Sequence, residues 1–193
     1  MKRNLMGYAM TLTALLLVDV AFSPSTSGTE PAPVSSVKEL PASVAEQSPA
    51  REVFEMLQGL EGKWKGRSTK GWAGEASFRV IAAGSVVVET TEFEAHPGET
   101  MMTMYHLDGD RLMLTHYCVA KNQPRLEMAS FDEAGKKATF RFRDATNLPT
   151  RDKGHMDSAV FQFDDADHFS SRWSFYKNGA EEWMEEIHYQ RAR

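Results

Sequence analysis

From Gly62 onward, apolar and polar positions alternate every second residue, and the alternation restarts repeatedly between clusters of turn-forming residues. A period of two is that of a β-strand with one wet and one dry face. Lys63, Lys65 and Arg67 alternate with Trp64, Gly66 and Ser68. Lys137, Thr139, Arg141 and Arg143 alternate with Ala138, Phe140 and Phe142. Glu182, Glu186, His188 and Gln190 alternate with Trp183, Ile187 and Tyr189. Strands are expected near 62–69, 74–82, 85–94, 99–107, 111–120, 124–132, 137–144, 158–164, 168–176 and 181–191. The clearest turns between them are Leu107-Asp108-Gly109-Asp110, Glu133-Ala134-Gly135 and Lys177-Asn178-Gly179, because Asp-Gly and Asn-Gly accept the positive φ of tight hairpins. A longer polar loop is expected from Asn147 to Met156. One stretch follows the helical period instead. Ser48-Pro49 reads as an N-cap with proline at the first helical position, Val53, Phe54 and Leu57 fall on one stripe, and Gly59 can stop the helix.

About ten short strands joined by hairpins must either close or stack as two sheets, and an up-and-down antiparallel barrel leaves no open edge. The expected fold is therefore all-β, a barrel over 49–193 entered through one short helix. The central hairpin decides which side chains point inward. If Asp108-Gly109 is a two-residue turn, partners have numbers that sum to 217. Met101, Thr103 and Tyr105 then share a face with Leu112, Leu114, His116 and Cys118, while Arg111 falls on the wet side. A three-residue loop would pair different partners. The same parity places Trp64, Ser68, Phe78, Val80, Leu126, Met128, Phe140, Phe142, Phe161, Trp173, Glu185, Tyr189 and Arg191 inside. That lining is apolar and aromatic with a few polar groups, as a small-ligand cavity requires. The same side chains could instead fill the barrel, although ten strands enclose more room than eight.

Ahead of the barrel, Met1-Lys2-Arg3-Asn4 is a basic start, followed by an apolar run from Leu5 to Val18. This is the pattern of a secretory signal peptide, expected over 1–25, and the run is short for a membrane span. The segment 26–48 is rich in Pro, Ser and Thr and poor in large apolar residues, so it is expected to be a disordered linker. The protein is thus expected to be exported, to the periplasm or the outside, with no stable membrane insertion once the signal is removed. Cys118 is the single cysteine, so no intramolecular disulfide can form and stability must come from packing.

Across 193 residues, 25% are charged and the net charge is −5, which leaves no electrostatic footprint for nucleic acid. No G-x-S-x-G, phosphate-binding loop, dinucleotide fingerprint or H-E-x-x-H motif occurs, and His96, His106, His116, His155, His168 and His188 show no zinc spacing.

Gly62-Lys63-Trp64 after a short helix, together with Arg191 near the end of the last strand, resembles the calycin superfamily of lipocalins, fatty-acid-binding proteins and nitrobindin-like barrels. The stretch YHLDGDRLMLTHYC followed by NQPR is also similar to exported bacterial lipocalin-like proteins of unknown function. The resemblance implies that Trp64 plugs the barrel floor and that Arg191 packs across it. The chain lacks the lipocalin disulfide pair and an Arg-x-Tyr headgroup triad, which speaks against a fatty acid held by its carboxylate. Nitrobindin-like barrels hold haem through a late histidine. Here that would be His188, which alternation puts on the outer face, so no cofactor is expected, with haem the alternative.

The expected function is binding or carrying a small, largely apolar molecule, with Thr103, Tyr105, Leu114, His116, Cys118, Trp173 and Glu185 as ligand contacts. Tyr105 and His116 would orient its polar end. His116 and Glu185 are also the interior pair that could do acid–base chemistry, which is the enzyme alternative. A packed interior would point to a protein-interaction module. Ligand identity and oligomeric state stay open at this level.

Overall fold

Residues 48–193 are described by the structure, a computed structural model. The expected signal segment over 1–25 and all of the expected linker over 26–48 except Ser48 lie outside the described residues. The first element is α1 (Pro49–Gly59). Ser48 is extended and its Oγ accepts from the Arg51 N–H at 3.3 Å, satisfying one of the orphan donors of the first turn. Ala50, Val53, Phe54 and Leu57 form its buried stripe.

Ten strands follow: β1 (Gly62–Ser68), β2 (Ala73–Ile81), β3 (Val86–Phe93), β4 (Met101–Asp108), β5 (Arg111–Tyr117), β6 (Gln123–Asp132), β7 (Lys137–Thr146), β8 (His155–Phe163), β9 (His168–Lys177) and β10 (Ala180–Arg191). Each pairs antiparallel with its neighbour in sequence, and β1 pairs with β10 from Trp64↔Arg191 to Ser68↔Ile187, closing the barrel. The up-and-down barrel expected from alternation is the fold observed. Strand β8 begins at His155, so the loop after β7 is shorter than its polarity suggests.

The register of the β4–β5 hairpin differs from expectation. The two turn residues are Gly109 and Asp110, and Asp108 pairs with Arg111, so partner numbers sum to 219 rather than 217. Gly109 takes the left-handed backbone, φ +64°, at the first turn position, and Asp108 and Arg111 close the hairpin with an ion pair. The slip is two residues, a whole period, so every side chain keeps the face assigned to it. Thr103 and His116 become direct cross-strand partners, as do Tyr105 and Leu114.

Irregularities in β6–β7, β8–β9 and β9–β10 break the alternation locally. Phe142, assigned to the interior, is half-buried opposite Leu126 and packs against His155 at 4.8 Å between centroids, with the Arg151 guanidinium 3.9 Å from its ring centroid. Trp183, grouped by alternation with Ile187 and Tyr189, lies between the guanidiniums of Arg141 and Arg172, at 6.0 and 5.3 Å.

The core occupies one end of the barrel, under α1. Trp64, Phe78, Tyr105, Phe140, Phe161 and Phe169 are fully buried there with Leu57 of the helix. Rings meet edge to face, Trp64 on Phe169 at 4.8 Å and Phe140 on Phe161 at 5.9 Å, the geometry that aromatic quadrupoles favour. The other end is not filled.

Candidate functional site

Above this aromatic packing the barrel encloses a cavity of about 520 Å³. Trp72, Phe93, Trp173 and Phe175 supply much of its apolar wall. Three of its polar groups form one row across adjacent strands. Glu89 on β3 pairs with Thr103 on β4, and Thr103 pairs with His116 on β5. All three side chains are buried and line the cavity.

Their hydrogen bonds are specific. Thr103 Oγ1 is 2.9 Å from His116 Nδ1, and the Tyr105 hydroxyl donates to Glu89 Oε2 at 2.6 Å. Burial pushes the Glu89 carboxyl up to about 7, against the hydrogen bonds of Tyr105 and Thr103, which favour its charged form. Burial also lowers His116 to about 4, so its imidazole is neutral near pH 7. Tyr105 is held well above its ordinary value, first by burial and then by the neighbouring Glu89. When Glu89 is ionised it accepts from Thr103 as well as Tyr105. The Thr103 oxygen then accepts the His116 Nδ1–H, which leaves Nε2 as a bare acceptor. Nε2 is buried and has no hydrogen-bond partner. The indole of Trp173 lies against this imidazole, centroids 4.9 Å apart and tilted by 39°.

The structure brings Thr103, His116, Cys118, Trp173 and Glu185 to the cavity wall. It does not bring Leu114 there, since that side chain is buried in the core. Tyr105 also belongs to the core, its ring packed against Phe140 and Phe161 at 6.4 and 5.9 Å, and reaches the polar row through its hydroxyl. His116 and Glu185 share no hydrogen bond: His116 engages Thr103, and Glu185 pairs with Lys70 at 3.2 Å. Cys118 lies just past the end of β5, its Sγ accepting from the Ala120 N–H at 3.5 Å, and burial raises its thiol pKa. An acid so weakened is a poor nucleophile.

Alternation alone does not point to Glu89. In β3 the inward set is Val87, Glu89 and Thr91, while Val86, Val88 and Thr90 point the other way. Both faces carry valines, so polarity does not reveal which side is inside. The usable signal was pairing: a correct β3–β4 register sets Glu89 against Thr103. Alternation likewise puts Glu182 on the outer face, yet it reaches the cavity beside the irregularity between Trp183 and Glu186.

At the closed end, Trp64 is buried and its Nε1–H donates to the Leu60 carbonyl at 2.7 Å. The Arg191 guanidinium lies 4.2 Å from the Trp64 ring centroid. It also donates to the carbonyls of Gly59, Glu61 and Ala166, at 2.9, 2.8 and 2.9 Å. One residue thus ties the end of α1 to the β8–β9 turn. His188 projects outward, its side chain 61% exposed and 3.6 Å from Glu186, so the late histidine does not fit a haem in the cavity. Among the described residues, no group of three or more His, Cys, Asp or Glu side chains is placed to hold a metal ion.

No protein-family model matches the chain, and no curated protein matches it. Among solved structures it is similar to Rv2717c from M. tuberculosis, with a TM-score of 0.52 at 14% identity, over 76% of this chain and 99% of that one. A weaker likeness, TM-score 0.45 at 10% identity, is to a protein of unknown function of the DUF3598 family from Nostoc punctiforme. It covers 70% of this chain and 49% of that one, so the chain spans about half the length of that protein. The likeness to Rv2717c is one of fold.

Proposed function

We propose that this protein binds or carries a small, largely apolar ligand inside a lipocalin-like barrel of the calycin type. The observation that carries the reading is the division of the interior. One end is packed solid with aromatic side chains, and the other holds about 520 Å³ of space whose apolar walls carry a buried polar row. Apolar area removed from water in such a space stabilises a complex by about 25 cal/mol per Å² before the entropy of association is subtracted. The few polar groups fix orientation rather than supply the bulk of the affinity.

Export fits this role, and its support is the basic start and the apolar run Leu5–Val18. Native mass spectrometry of protein purified from its own host, with an absorption scan of the same sample, tests the reading. The expected result is a retained small molecule, or uptake of an apolar fluorophore when none is retained. Protein that emerges empty and takes up no apolar probe would end it.

A further inference from the structure

We infer that the cavity selects apolar amines, seating a protonated ammonium head against His116 Nε2 and the Glu89 carboxylate while the aromatic walls cover the ligand's body. The inference rests on the carrier reading and deepens it by naming the ligand class.

Three independent features converge on this chemistry. The first is the buried, unpartnered Nε2 of His116, a residue that lines the cavity. A buried acceptor with no donor is costly, and a ligand N–H removes that cost. When Thr103 donates to the ionised Glu89, its oxygen takes up the Nδ1–H, and Nε2 then accepts a hydrogen bond and has none to give. It rewards a donor and offers nothing to a carboxylate.

The second is the charge of the lining. Glu89, Glu99, Glu182 and Glu185 face the cavity against Lys70 and His96. Lys70 pairs with Glu185 at 3.2 Å and His96 pairs with Glu99 at 3.4 Å. Glu89 is then left with hydroxyl partners alone, Tyr105 and Thr103. An anionic head group meets an acidic, low-dielectric wall; a cation completes it. The pairing Glu89↔Thr103↔His116 places the carboxylate and the imidazole in one cross-strand row on the inner face, with Thr103 between them.

The third is the wall. Trp72, Phe93, Trp173 and Phe175 present ring surface to the same space. Aromatic faces attract a cation most strongly where water is excluded, and they cover an apolar body equally well.

Four probes on one ring system test the inference by calorimetric titration in mildly alkaline buffer: methylnaphthalene, naphthylmethanol, naphthylmethylamine and naphthoate. The amine is expected to bind at least tenfold tighter than the alcohol, and naphthoate to be the weakest of the four. Glu89→Gln and His116→Leu should each lower amine affinity about tenfold and move methylnaphthalene affinity by less than about twofold. Thermal melts of both variants, and their retained methylnaphthalene binding, separate loss of the head-group site from loss of fold. Equal affinity for amine and alcohol, or a preference for naphthoate, would overturn the amine inference and leave the carrier reading standing. Failure of all four probes to bind would remove the carrier reading itself.

Discussion

At the residue scale, Glu89 and His116 are buried within one row yet titrate in opposite senses. Folded, Glu89 keeps its proton up to about pH 7, whereas its ordinary value is 4.5. Its contribution to stability is therefore complete below about 4.5 and is lost as pH rises through about 7. His116 is neutral in the barrel down to about pH 4, against an ordinary 6.5. Its contribution is complete above about 6.5 and is lost as pH falls through about 4. Between these limits each slope approaches about 1.4 kcal/mol per pH unit, with opposite signs. Glu89→Gln leaves the His116 slope unopposed, so its Tm should climb from pH 4.5 to 6.5 more steeply than that of the wild type. The other titrating groups are common to both proteins, and Tm profiles that run parallel would show that Glu89 does not retain its proton. Trp64 makes a different argument. With its ring buried, Nε1 bonded to Leu60 and Arg191 over its face, Trp64→Ala should cost about 3–5 kcal/mol in urea unfolding. A midpoint left in place would mean the floor does not depend on this ring.

At the element scale, periodicity carried far because each strand has one dry face. Strand positions and the sense of most side chains were legible in Gly62–Ser68, Lys137–Arg143 and Ile187–Gln190. The hairpin slip from Asp108-Gly109 to Gly109-Asp110 cost nothing in facing, since two residues restore the period. Where a strand takes an extra residue, as between Trp183 and Glu186, the rule fails, because nothing local announces where a barrel must bend. The approach of β1 to β10 shows the same dependence on a distant neighbour. A Cβ on Gly66 would stand 2.8 Å from Tyr189 Cε1, and Tyr189 stacks on Phe169 at 4.5 Å between centroids. Gly66→Ala should therefore destabilise the barrel by about 1–3 kcal/mol. It should also displace the Tyr189 ring, visible as a loss of its ring-current shifts on Phe169 in NMR spectra. Unchanged shifts would show that β1 and β10 can separate at no cost.

At the scale of the whole molecule, the barrel is a closed wall filled from one end only. Helix α1 and the aromatic core fill that end, and the cavity at the other is where a ligand would add stability. Ligand at a hundred times its Kd should raise unfolding stability by about 2.7 kcal/mol. In a domain of this size that moves Tm by about 2–4 °C per kcal/mol, readable by differential scanning fluorimetry. No shift with a bound naphthyl amine would mean that the folded and unfolded chains bind it alike.

Alternation, hairpin dipeptides and the Ser48-Pro49 cap were enough to define the helix, ten strands and their antiparallel order, because each is a local preference repeated along the chain. That His116 and Trp173 face the interior followed from the same period. Tertiary structure alone decided that Glu89 completes the row with Thr103 and His116, that Tyr105 sits in the core rather than on the cavity wall, and that His116 and Glu185 take separate partners. These depend on register between strands, on local irregularities, and on how a ring of ten strands divides its volume between packing and space. Such quantities belong to the closed wall and to no single strand.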